Sequence, residues 1–320
     1  SGERLDAVLD SAQSAAARWR SLPAADRAEI LYRAADLLES RRADLLEAMG
    51  SECGKLLDQG DPEVSEAIDF ARYYADQARA LETVDGARPD PARVTLVTPP
   101  WNFPLAIPAG STLAALATGS AVVLKPAESA RRCAAVLAET LWAAGVPHDV
   151  LQYVRLQDRG LRTRLIGDPR IERVILTGAY ETAELFRGIR PDLRLYAETS
   201  GKNAIIVTPS ADFDLAARDV VASAFGHAGQ KCSAASLVIL VGSAARSGRL
   251  RSQLIDATRS LRVGVPWDPA ARMGPLIEPA QGKLLRALTT LEAGQSWLLK
   301  PEQLDADGRL WRSEERRVGK

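Results

Sequence analysis

The stretch "RVTLVTPPWNFPLAIP", residues 93–108, decides the fold, because a short β-rich run breaks there into a loop. The same texture recurs downstream. "AVVLK" (121–125), "VLQYV" (150–154), "RVILT" (173–177) and "LRLYAE" (193–198) are strand candidates, with helical stretches over 129–144 and 181–189 between them. Strands alternating with helices indicate a parallel sheet built from β-α-β units. In such sheets ligands gather where strands give way to loops.

Upstream, the first 80 residues read as helices. Leu5, Val8, Leu9, Ala12, Ala16 and Trp19 share one face at helical spacing, and Ile30, Leu31, Ala34, Leu37 and Leu38 form a second stripe. A third helix is expected over 44–57. A fourth is expected to open at "GDPEVSEA" (60–67), with Asp61 as its cap and Pro62 in its first turn. Downstream, "NAIIV" (203–207), a helix over 213–225, a strand over 236–241 and a helix near 245–261 repeat the alternation. The expected organisation is α/β in two domains, 1–209 and 210–320, with the boundary near Pro209.

Bulk properties narrow the function. Acidic and basic residues balance at 41 each, so no net field favours nucleic acid or an anionic membrane. Three cysteines (Cys53, Cys133 and Cys232) and two histidines (His148 and His227) show neither a disulfide framework nor a metal-ligand spacing. A reducing cytoplasm and no metal are therefore expected. No run approaches the ~18 apolar residues of a membrane span, and no apolar signal segment opens the chain. Cys53 and Cys133 lie in helical stretches and read as packing residues.

Cys232 is different, since it stands among small residues in "GHAGQKCSAAS" (226–236). Three further segments follow strand candidates: "PPWNFPLAIP" (99–108), "KPAES" (125–129) and "AETSGKN" (197–203). In this order, and with 34 residues separating Glu198 from Cys232, the four segments resemble the aldehyde dehydrogenase superfamily over residues ~5–310. The resemblance implies a Rossmann-like NAD-binding domain with N-terminal helices, followed by a cysteine-bearing catalytic domain that is incomplete. It implies a small aldehyde as substrate and a homo-oligomeric intact enzyme.

The implied chemistry suits these residue types. Cys232 as thiolate attacks the aldehyde carbon, and the oxyanion needs preorganised donors, which the Asn102 amide and the Cys232 backbone N–H supply. Glu198 activates the water that hydrolyses the thioester. Lys125 and Glu128 correspond to the contacts with the adenosine ribose, and a carboxylate at 128 favours NAD over NADP. Gly178 and Ala179 lie in "LTGAYETAE" (176–184), a strand-turn-helix whose backbone N–H groups face the pyrophosphate. Ala179 and Tyr180 replace the small hydroxyl residues common there, and Trp101 lies beside the nicotinamide path.

Within the superfamily these motifs look most like L-glutamate γ-semialdehyde dehydrogenases, including the C-terminal halves of bifunctional proline-utilisation proteins. That likeness gives Ser233 a role in holding the substrate α-carboxylate and Phe103 a role in lining its aliphatic part. The family's later glutamate-phenylalanine-glycine-proline segment is absent, as are roughly 150 further residues. The 320-residue polypeptide is therefore expected to be weakly active or inactive by itself. The dimerisation hairpin between residues 81 and 93 is shortened, and "RSEERRVGK" (312–320) matches no family motif. Three other readings stay open: a non-catalytic NAD-binding or structural member of the fold, an aldehyde dehydrogenase for another semialdehyde, and a thiol hydrolase pairing Cys232 with His227, which would cleave esters without NAD.

Overall fold

The computed structural model describes residues 2–86, 89–312 and 315–318. Ala87 and Arg88, in the segment expected to form a shortened hairpin, lie outside the described residues, as do Ser313, Glu314, Gly319 and Lys320 of the closing segment. The chain divides into two compact units, Ser1–Cys53 with Gly60–Ser200, and Gly54–Gln59 with Gly201–Lys320.

The first unit opens with helices α1 (Gly2–Ser21), α2 (Ala24–Ser40), α3 (Arg42–Cys53) and α4 (Leu57–Leu81). Strand and helix then alternate: β1 (Val94–Thr98), α5 (Ala106–Ala117), β2 (Ala121–Leu124), α6 (Arg131–Ala144) and β3 (Leu151–Tyr153). They continue through α7 (Arg159–Gly167), β4 (Arg173–Gly178), α8 (Tyr180–Ile189) and β5 (Leu195–Thr199). The sheet is parallel throughout, in the order β3-β2-β1-β4-β5. All five residues of β1 are buried, as a central strand covered on both faces requires. The expected stripe of α1 is buried too: Leu5, Leu9, Ala12 and Ala16 join a core with Val94, Leu96, Val123, Val174 and Leu176.

α5, "AIPAGSTLAALA", is apolar on nearly every side and is buried accordingly. Its first amides need acceptors that a dry interior does not supply. Glu63 on α4, only 2% exposed, provides one. Its Oε1 accepts from Leu105 N at 2.8 Å and from Ala106 N at 3.0 Å. The start of α4 corrects the sequence expectation. The helix begins at Leu57, so Pro62 lies inside it, and Asp61 pairs with Arg42 at 2.7 Å instead of capping. Past the first turn, Pro62 withholds the N–H that would bond to Asp58 O and crowds that carbonyl, so the helix carries a local cost there.

The second unit carries β6 (Asn203–Val207), α9 (Phe213–Phe225), β7 (Ala235–Leu240), α10 (Gly248–Arg259) and α11 (Gly282–Thr289). Four short strands follow, β8 (Gln295–Leu299), β9 (Glu302–Gln303), β10 (Trp311–Arg312) and β11 (Glu315–Val318). The division falls after Ser200 and not at the expected 209, because β6 pairs in parallel with β7 and buries Val207 among Ala217, Val220 and Leu250. The other face of this ribbon stays open: Ile206 is 63% and Leu237 55% exposed. Among the described residues no helix is long and apolar enough to cross a membrane.

Two predictions come from this packing. Glu63→Ala should cost about 2 kcal/mol in urea unfolding, because two amides at the head of α5 lose their acceptor, whereas Glu63→Gln should cost less. The second concerns Arg170, which binds Asp6 at 2.8 Å, Asp10 at 2.6 Å and Asp168 at 2.6 Å. Its hydrogen bonds hold the Asp6 and Asp168 carboxyls below their ordinary value. Depressed carboxyl pKa values stabilise the fold above pH ~4, and that contribution disappears as pH falls through the folded values. Arg170→Ala should therefore lower the urea midpoint at pH 7, with the difference from the parent shrinking below pH ~4.

Candidate active site

The sheet order places a topological switch beside β1. From β1 the chain winds outward through β2 to β3, then crosses to β4 on the other side of β1. Loops at the carboxyl ends of β1 and β4 diverge at such a point and leave a crevice. Thr98, the last residue of β1, pairs with Leu176 of β4. Trp101, Asn102 and Phe103 follow in a half-buried bend, anchored from behind where Glu63 fixes the head of α5.

Lys125 continues β2, and its backbone N–H donates to Val97 O at 2.9 Å. Its Nζ donates to Pro126 O at 3.2 Å. Burial pulls the ammonium below its ordinary value, Arg162 adds to this, and Glu128 opposes it. Glu128 is exposed and pairs with Arg131 at 3.2 Å. Gly178 ends β4, Ala179 is the N-cap of α8, and among the described residues no side chain caps that helix. Its first amides remain directed at the strand-to-helix turn, a suitable seat for dinucleotide phosphate. Glu181 in the same first turn weakens the attraction for an anion. With a three-donor ammonium at Lys125 and a carboxylate at Glu128, the donor set suits ribose hydroxyls, so these residues fit a nicotinamide dinucleotide.

Glu198 lies on β5, opposite Thr177 of β4, and is exposed. Tyr74 on α4 senses it: burial pushes the phenol up first, and the charges of Tyr73 and Glu198 push further. The first unit thus brings Asn102, Lys125, Gly178 and Glu198 to one edge of one sheet.

Cys232 and Ser233 belong to the second unit, where both are exposed. Asp212 caps α9 by accepting from Asp214 N at 2.9 Å and Leu215 N at 3.2 Å. Beyond α9 the backbone turns left-handed at three successive residues, His227 (φ 54°), Ala228 (φ 54°) and Gly229 (φ 70°). Gln230 ties the turn down. Its Nε2 donates to His227 O and Pro275 O, both at 3.1 Å, and its Oε1 accepts from Ile277 N at 2.9 Å. Asn203 Nδ2 donates to Cys232 O at 2.6 Å and to Ala234 O at 3.2 Å. The backbone around the cysteine is held while its side chain faces outward. His227 is buried, and desolvation, aided by Lys55 and Lys231, pushes its pKa down to about 3. An imidazolium partner for a thiolate is therefore disfavoured at position 227.

Glu63, Asn203 and Gln230 are positioning residues that the motifs alone do not single out. A signal existed for Glu63, since a charge at 63 falls in line with Ala67 and Ala71 on the buried face of α4. Asn203 closes the quoted segment "AETSGKN", and Gln230 stands two residues before the cysteine.

The model of the aldehyde dehydrogenase family matches residues 1–303. A 1-pyrroline-5-carboxylate dehydrogenase of Geobacillus thermodenitrificans is 36% identical over 313 residues, covering 92% of this chain and 60% of that protein. The bifunctional protein PutA of Escherichia coli is 37% identical over 320 residues, covering 97% of this chain and 24% of that protein. The solved structure of proline utilization A from Corynebacterium freiburgense superposes with a TM-score of 0.92 at 52% identity, over 99% of this chain and 32% of that one. The chain therefore spans about 60% of the length of the dehydrogenase relative. The parallel sheet is consistent with the match over 1–303, and the chain belongs to the aldehyde dehydrogenase family.

Proposed function

We propose that the protein oxidises an aldehyde to a carboxylate with NAD, and that its substrate is L-glutamate γ-semialdehyde, yielding L-glutamate in proline catabolism. The observation that carries this reading is the gathering of Asn102, Lys125, Gly178 and Glu198 at one carboxyl edge of the parallel sheet. The names of the relatives support the choice of substrate.

Cys232 as thiolate adds to the aldehyde carbon and forms a carbon–sulfur bond, giving a thiohemiacetal. The Asn102 amide and the Cys232 N–H stabilise its oxyanion, each donor worth ~3–4 kcal/mol in the transition state. NAD held at this edge would supply the hydride acceptor that oxidation of the thiohemiacetal to a thioester requires. Glu198 then takes a proton from water as the water adds to the thioester carbonyl, and the carboxylate leaves with the thiol restored. Ser233 and Phe103 hold the α-carboxylate and the methylene chain of the substrate. Lys125 and Glu128 would hold the adenosine ribose, and the amides at Gly178 and Ala179 would hold the pyrophosphate. Glu128 disfavours a 2′-phosphate, although its pairing with Arg131 moderates the effect. The intact enzyme is read as a cytoplasmic homo-oligomer, in keeping with three free cysteines. The thiol-hydrolase alternative is weakened by the burial of His227.

The decisive experiment is NADH formation from NAD and L-glutamate γ-semialdehyde, run on the 320-residue chain and, because that chain is expected to be weakly active at most, on an intact enzyme that contains it. Cys232→Ala should abolish turnover while NAD affinity holds, and activity that survives this change would remove the cysteine from the mechanism. Glu198→Gln should slow steady-state turnover by ~10²–10⁴ and leave a rapid burst of NADH. Equal loss of burst and steady state would instead assign Glu198 to the thiol proton. Replacing Glu128 with Gln should narrow the preference for NAD over NADP by about tenfold, read as the ratio of kcat/KM values.

A further inference from the structure

Cys53 and Cys133 stand far apart in sequence, yet the first unit brings them into contact. Cys53 ends α3 and Cys133 lies in the first turn of α6, both essentially inaccessible to solvent. Cys53 Sγ donates to Ser129 O at 3.3 Å. Glu52 completes the group. Its carboxylate accepts from Arg132 N at 2.8 Å and from Cys133 N at 2.9 Å, so it sits over the head of α6. The guanidinium of Arg132 is engaged elsewhere, with Glu47 at 3.1 Å and Ser51 at 2.9 Å. One donor atom each from Glu52, Cys53 and Cys133 all lie within 4.8 Å of one another.

We propose that Glu52, Cys53 and Cys133 form a binding site for a thiophilic divalent cation of the zinc class. Two sulfurs each ~2.3 Å from a tetrahedral ion stand ~3.8 Å apart, so donors now within 4.8 Å reach one centre by side-chain rotations that bring them about 1 Å closer. Two sulfur donors select a soft or borderline ion, and the carboxylate favours a divalent ion over a monovalent one. Ser129 O, beside Cys53, is placed to approach the fourth corner of a tetrahedron. Binding makes two metal–sulfur bonds and one metal–oxygen bond, and the two thiol protons pass to buffer. The positive end of the α6 dipole offsets part of the negative charge that two thiolates and a carboxylate concentrate there. This site is independent of Cys232 and of the proposed oxidation.

The test uses the protein stripped of metal by chelation, kept reduced with a phosphine, and titrated with Cd²⁺. One equivalent should bind with near-ultraviolet thiolate-to-metal absorption, and X-ray absorption should find two sulfurs on each ion. Cys53→Ala and Cys133→Ala should each weaken binding by roughly 100-fold, and Glu52→Gln by about tenfold while still accepting from the α6 amides. Cys232→Ala should leave the affinity unchanged. An absence of stoichiometric binding, a single sulfur per ion in the unsubstituted protein, or binding that depends on Cys232 would overturn the proposal. The sulfur count is decisive even where an alanine variant fails to fold.

Discussion

Everything at the carboxyl edge of the first unit depends on the pairing of β1 with β4. β1 is buried on both faces, so its register is set from above and below by apolar contacts as well as by its ladder. Thr98 opposite Leu176 brings the ends of the two strands level. From there the loop with Asn102 and the turn with Gly178 leave the sheet in different directions. Thr177 opposite Glu198 carries the same alignment to β5. A one-residue slip of β4 would turn Val174 and Leu176 out of the core and displace the Gly178 turn, so packing enforces the geometry that the proposed chemistry needs.

The helices that follow these strands satisfy their first backbone amides in two ways. α5 receives Glu63 from α4, and α6 receives Glu52 from α3. In each case a carboxylate distant in sequence satisfies amides near the head of a helix and complements its dipole. α8 begins after Ala179, which has no side-chain acceptor to offer. An external anion at that turn would play the part that Glu63 and Glu52 play at the other two. The difference between internal and external acceptors separates the helices that build the unit from the one proposed to meet cofactor.

Local patterns are legible in the sequence and distant contacts are not. The strand candidates all form strands within a residue or two, and the helix expected over 213–225 has those limits, because alternation and stripes reflect the neighbours each segment needs. α5 gives no such signal, because a helix buried all round has no polar face to mark its period. Pro62 misleads because proline is usual in a first turn, and nothing local shows that Leu57 has already begun the helix. β6 falls on the far side of the expected boundary because its partner β7 comes later in the chain. The motif residues at 102, 125, 178 and 198 stand out by their order along the chain, and the sheet supplies the common edge. Of their helpers, Glu63 is marked only by its place on the buried face of α4, and Asn203 and Gln230 act across loops, where spacing carries no message.

The cysteine loop shows why such helpers matter. His227 and Ala228 adopt left-handed backbone, which costs an L residue with a side chain roughly 1–2 kcal/mol each. The turn persists because its surroundings over-determine it. Gln230 donates to His227 and Pro275 and accepts from Ile277, and Asn203 holds the carbonyls of Cys232 and Ala234. The burial of His227 anchors one end of the loop in the interior while the exposed Cys232 forms the other. Asn203 and Gln230 fix the backbone around an exposed Cys232, whereas Cys53 and Cys133, on regular helices, are buried.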